Sequence, residues 1–123
     1  MPRNGVIAIH EEDDLIRELL ERWLGEAGYC VLGMHEMRAG RAEADPPSLI
    51  IANVPSPRAA RPLIESLQAV YAAPILALSG RFRRGLAGSA EAARRLGVKK
   101  VLPKPFTRKE LLSAVHEALQ GAE

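Results

Sequence analysis

The stretch Leu49-Ile50-Ile51-Ala52-Asn53-Val54-Pro55-Ser56-Pro57 carries four apolar residues directly into an amide, and two prolines then end the run. A short, continuous apolar segment bounded by turn residues is the pattern of a fully buried strand. In an α/β protein, a polar side chain at the carboxyl end of such a strand sits where the binding crevice forms. Asn53 is therefore the first candidate functional residue, and the other strand ends are where its neighbours belong.

Toward the amino terminus, Gly5-Val6-Ile7-Ala8-Ile9 is a second apolar run, followed by the acids Glu11-Glu12-Asp13-Asp14. A helical pattern comes next, with Leu15, Ile16, Leu19, Leu20, Trp23 and Leu24 on one stripe, ended by Gly25 and Gly28. Tyr29 to Leu32 reads as a strand, and His35 to Glu43 as a short exposed helix stopped by Asp45-Pro46-Pro47. Toward the carboxyl terminus, a helix is expected from about Ala59 to Val70 with Leu63, Ile64, Leu67 and Val70 inward. Pro74 to Leu78 is a strand leading into Ser79, then an arginine-rich loop, Arg81 to Gly85, and an alanine-rich helix ending at Leu96-Gly97. Val98 to Leu102 is a fifth strand. Thr107-x-x-Glu110 forms a capping box that opens a last helix carrying Leu111, Leu112, Val115 and Leu119. The order is βα repeated five times, with strands apolar throughout, which implies a doubly wound parallel sheet covered by helices on both faces.

The 123 residues suit a single domain over 1–123. At 47% hydrophobic and 26% charged the chain is globular in composition, and a net charge of +2 does not mark a nucleic-acid binder. One cysteine, Cys30, excludes an internal disulfide; its apolar neighbours predict a buried thiol in an intracellular protein. Neither a signal peptide nor an apolar run near the ~20 residues of a membrane span is present, so a cytoplasmic protein is expected.

Strand ends gather Glu11 and Glu12, Asn53, Ser79 and Lys104 on one sheet edge. Carboxylates suit Mg²⁺, a hard cation, while a hydroxyl and a lysine suit phosphoryl oxygens. Together with Ile16-Arg17-Glu18-Leu19-Leu20, Gly28-Tyr29, Pro57, the run Pro74 to Ser79, and Lys104-Pro105-Phe106, these residues resemble the receiver domain of bacterial two-component response regulators over essentially the whole chain. The resemblance implies a flavodoxin-like sheet in strand order 2-1-3-4-5 with five helices. It also implies an acidic pair for Mg²⁺ at Glu11 and Glu12, a phosphoacceptor position at Asn53, phosphoryl contacts at Ser79 and Lys104, and a switch position at Val101. Two departures matter. Asn53 stands where the family has an aspartate, and an amide neither attacks phosphorus at neutral pH nor forms the mixed anhydride of a carboxylate. Val101 stands where the family has a mobile Tyr or Phe. Glu12 is also one methylene longer than the usual aspartate.

Blander readings stand beside these. Glu11 to Asp14 also fit a solvated helix start favoured by the helix dipole, with Asp13 or Asp14 as its cap. His10 fits a partly buried structural histidine. Lys104, without a phosphoryl group, is expected to pair with Glu12 or to bond Asn53. Arg94, Arg95, Lys99 and Lys100, with Arg81, Arg83 and Arg84, make a basic region around the fourth helix and fifth strand; it is either a solvated face or one that docks a signalling partner or a second copy. The expected function is a receiver-like module of a phosphorelay, standing alone or as part of a longer chain. It would act by protein–protein interaction independently of phosphorylation, without enzymatic activity or direct nucleic-acid binding. The alternatives are a phosphoryl-accepting receiver using a neighbouring acid such as Asp13, and a small-ligand-binding flavodoxin-like module.

Overall fold

The computed structural model describes residues 5–33, 47–54, 57–71, 73–79, 93–94, 97–104 and 106–120. In chain order they form β1 (Val6–His10), α1 (Asp14–Glu26), β2 (Cys30–Leu32), β3 (Leu49–Asn53), α2 (Pro57–Val70), β4 (Ile75–Ser79), β5 (Lys100–Pro103) and α3 (Arg108–Gln120). The five strands make one sheet in the order β2-β1-β3-β4-β5. Every pairing is parallel, with Ile9 opposite Ile51, Asn53 opposite Leu78, and Ser79 opposite Pro103. The expected sheet and strand order are thus found. Three of the five expected helices are described; the segment His35 to Glu43 and most of the alanine-rich helix lie outside the described residues. Ala93 and Arg94, near the end of the latter, are helical.

Alternation along the strands divides the core between the two faces of the sheet. Ala8, Ile50, Ala52, Ile75, Ala77 and Val101 pack on one face with Ile64 and Leu67 of α2. Ile7, Ile9, Leu49, Ile51, Leu76 and Leu78 pack on the other with Leu20 and Leu24 of α1 and with Leu111, Ala114, Val115 and Ala118 of α3. Because β1, β3 and β4 are covered on both sides, they are apolar up to the polar residue that ends each, His10, Asn53 and Ser79. Each fully buried Leu or Ile contributes roughly 1.5–3 kcal/mol before chain entropy is counted.

Local chemistry sets the helix ends. Asp13, with φ −75° and ψ 116°, accepts hydrogen bonds from Leu15 N (2.9 Å) and Ile16 N (3.1 Å), capping α1. The helix closes in a Schellman motif: Gly28 N donates to Gly25 O, Tyr29 N donates to Leu24 O, and Gly28 takes φ 99°. Gly25 lies inside the helix; Gly28 alone supplies the left-handed turn. The same arrangement recurs where Val98 N donates to Ala93 O and Gly97 takes φ 78°. At α3 the capping box is complete, with Thr107 N donating to Glu110 Oε1 (2.9 Å) and Glu110 N to Thr107 Oγ1 (3.1 Å).

Two expectations are corrected. On α1 the buried line is Leu20 and Leu24, with Ile16 and Trp23 half-buried, whereas Leu15 is 78% and Leu19 37% exposed. One residue along a helix is a rotation of about 100°, which carries Leu15 and Leu19 off the face defined by Ile16 and Leu20. Cys30 is exposed instead of buried. It is the first residue of an edge strand and has a strand neighbour on one side only.

Candidate functional site

Parallel winding brings the carboxyl ends of β1, β3, β4 and β5 to one edge of the sheet. Asn53 closes β3, held in register by pairing with Leu78 and by the Val54 N–H, which donates to Leu78 O at 2.8 Å. Glu11 follows β1 directly. Lys104 follows β5, and two residues later Phe106 meets Trp23 of α1 edge-on, with ring centroids 6.5 Å apart. That ring contact ties the segment after Lys104 to α1.

These elements bring three of the candidate residues into one network. Lys104 Nζ donates to Asn53 Oδ1 at 2.7 Å and lies 3.7 Å from Glu11 Oε1. Glu11 is 2% exposed, the one charged residue among the buried described residues. Its Oε2 accepts from Asp13 N at 3.0 Å, while Oε1 has no hydrogen-bond partner. A carboxylate taken from water needs a cation or donors to offset lost hydration. Here the lysine supplies the charge and the Asp13 N–H a direct bond. At an effective dielectric near 20, a pair at that distance attracts by about 4 kcal/mol before desolvation is subtracted. Arg17 Nη1 reaches Glu11 O at 3.4 Å, and the guanidinium also meets Asp14 Oδ1 at 2.7 Å. Arg17 is not legible as a site residue from the sequence, because a helix-surface arginine carries no positional signal.

The acidic pair divides. Glu11 turns inward, whereas Glu12 is exposed; the carboxylate partner of Lys104 is Glu11, not Glu12. Glu11 is tied by the Asp13 N–H to the residue that caps α1, while Glu12 between them is left in solvent. Asp13 is exposed, and its Oδ1 is engaged by the first turn of α1. His10 is partly buried at the end of β1. Ser79 ends β4 at the same edge, and its side chain lies outside the described residues. Val101, 1% exposed, pairs with Ala77 and packs on the α2 face, so it presents an aliphatic plug where a switch ring was the family expectation. Of the basic region, Arg94 and Lys99 are exposed and Lys100 Nζ lies 3.0 Å from Glu117 Oε1. Arg81, Arg83, Arg84 and Arg95 are outside the described residues.

Magnesium, which the receiver resemblance implies, demands near-octahedral oxygen ligands. The residues do not fit it well. No group of three His, Cys, Asp or Glu able to hold a metal occurs among the described residues. The unpartnered Glu11 Oε1 and the Asn53 Oδ1 are both addressed by the Lys104 ammonium.

No family model matches the chain, and no curated protein does. Solved structures do. The N-terminal domain of the nisin resistance regulator NsrR, a lantibiotic response regulator, is 23% identical with TM-score 0.72, over 95% of this chain and 99% of that one. A response regulator receiver domain protein from Clostridium thermocellum is 20% identical with TM-score 0.69, over 95% of both chains. The Vibrio cholerae chemotaxis protein CheY4 is 22% identical with TM-score 0.62, over 93% of this chain and 97% of that one. Likeness at this level of identity is likeness of architecture, and the architecture of this chain is that of the response regulator receiver domain.

Proposed function

We propose that the chain is a receiver-like signalling module that works by binding a protein partner and not by accepting a phosphoryl group. The observation that carries this reading is the 2.7 Å hydrogen bond from Lys104 Nζ to Asn53 Oδ1 at the carboxyl edge of the sheet. The position equivalent to the phosphoacceptor is filled by an amide, whose nitrogen is no nucleophile at neutral pH and whose oxygen is already engaged. Val101 favours the same reading, because an aliphatic side chain packed in the core has no ring to swing on activation.

The partner-binding face is the one around Arg94, Lys99 and Lys100, toward the end of the fourth expected helix and the start of β5. The exposure of Arg94 and Lys99 supports an acidic protein surface as its complement, with long-range attraction speeding the encounter. A second copy of the chain is the other occupant of that face. The setting is the bacterial cytoplasm and a two-component pathway; the module is not itself an enzyme. Asp13 is a poor substitute acceptor, since its carboxylate holds the amino end of α1.

Intact mass after incubation with acetyl phosphate and Mg²⁺ tests the reading on this chain and on Asn53→Asp in parallel. The unsubstituted chain is expected to gain no phosphate. A phosphorylated Asn53→Asp protein would mean that Glu11, Ser79 and Lys104 still make a working pocket lacking only its acceptor. Phosphate on neither would mean a scaffold alone, and phosphate on the unsubstituted chain would overturn the proposal.

A further inference from the structure

We infer that Lys104 takes the place of a divalent cation in the strand-edge crevice, which is neutralised from within and binds no Mg²⁺. The inference deepens the proposed function and rests on its premise that the crevice transfers no phosphoryl group. Glu11 is 2% exposed, and its Oε1 has no hydrogen-bond partner. The cation brought to that oxygen is the Lys104 ammonium, at 3.7 Å. The same nitrogen donates at 2.7 Å to Asn53 Oδ1, the second hard oxygen a metal would need. One ammonium therefore engages both.

Charge balance leads to the same result. Glu11 and Lys104 cancel and Asn53 is neutral, so the network carries no surplus negative charge to recruit a divalent ion. An aspartate at 53 would restore that surplus. Glu12, which would have to supply further oxygen, is exposed and outside the network. A free Mg²⁺ would also have to shed water, which it does reluctantly, and displace a cation tethered to the chain that loses no translational freedom by staying. Lys104 is positioned for this by β5 and by the Phe106–Trp23 contact behind it.

The test is a titration with Mg²⁺ to about 10 mM at constant ionic strength, without a phosphoryl donor, following Tm of this chain and of Lys104→Met. The unsubstituted chain is expected to shift by less than ~0.5 °C, since a cation that does not bind the native state cannot stabilise it. Lys104→Met is expected to melt lower without metal, because Glu11 stays buried with no counter-charge. Mg²⁺ is then expected to raise its Tm by roughly 4–7 °C, the shift for tenfold excess over the dissociation constant in a domain of this size. If Lys104→Met fails to fold, Lys104→Gln carries the same comparison. A saturable rise in the Tm of the unsubstituted chain overturns the inference, and so does a substituted protein indifferent to Mg²⁺. Binding of Mg²⁺ without uptake of phosphate sinks this inference alone; uptake of phosphate sinks the reading beneath it.

Discussion

Glu11 shows how one buried charge shapes a site. Its carboxylate is held by the Asp13 N–H and faced by Lys104, so the two ends of the ion pair are not equivalent. Lys104 keeps 26% of its side-chain surface in solvent while Glu11 keeps 2%. Neutralising Glu11 therefore leaves a lysine that can still reach water and Asn53. Glu11→Gln is expected to stay within about 1 kcal/mol of the parent, because its amide oxygen still accepts from Asp13 and a buried charge is relieved. Glu11→Ala is expected to cost about 2–3 kcal/mol, since it strips that acceptor and opens a void. Urea unfolding of both variants checks this. Equal losses for Gln and Ala would mean that the charge, and not the shape and hydrogen bond, is what the fold needs.

Among the elements, α1 separates periodicity from burial most sharply. Six apolar residues lie within its first three turns, yet the packed line runs through Ile16, Leu20, Trp23 and Leu24. Leu15→Ala is expected to change stability by less than about 0.5 kcal/mol, as surface substitutions away from special features do. Leu20→Ala, at a fully buried position, is expected to cost about 2–5 kcal/mol. Chemical denaturation of the pair measures the difference directly, and a large loss at Leu15 would contradict the orientation of the helix. The stripe on α1 is legible from the sequence as a stripe; its width is not, because Leu15 and Leu19 are apolar without being inward. The helix caps read more faithfully. Thr107 with Glu110, and Gly28 and Gly97, act through bonds within a few residues, so their local sequence suffices.

At the scale of the molecule, the sheet makes the elements interdependent. β1, β3 and β4 each serve both core layers, and Trp23 of α1 touches Phe106 near the start of α3. Loss of either layer would expose apolar residues of the other through the shared strands. Unfolding is therefore expected to be one cooperative transition, with Trp23 fluorescence and far-UV circular dichroism giving the same midpoint. Separate midpoints would show that the α1–α3 face and the α2 face are independently stable units.

What the sequence determined by itself was the set of strands, their apolar character and hence a doubly wound parallel sheet, with Glu11, Asn53, Ser79 and Lys104 at its carboxyl edge. These follow from short-range patterning and from a topology that admits few alternatives. Only the tertiary structure decided that Glu11 turns inward while Glu12 does not, and that Lys104 bonds the amide and faces the buried carboxylate. It also decided that Cys30 is exposed and Val101 a core plug. The reason is physical: such outcomes depend on which partner lies across a crevice 42 to 93 residues away along the chain, or on whether a strand has one neighbour or two. Neither is written in the residues flanking the position.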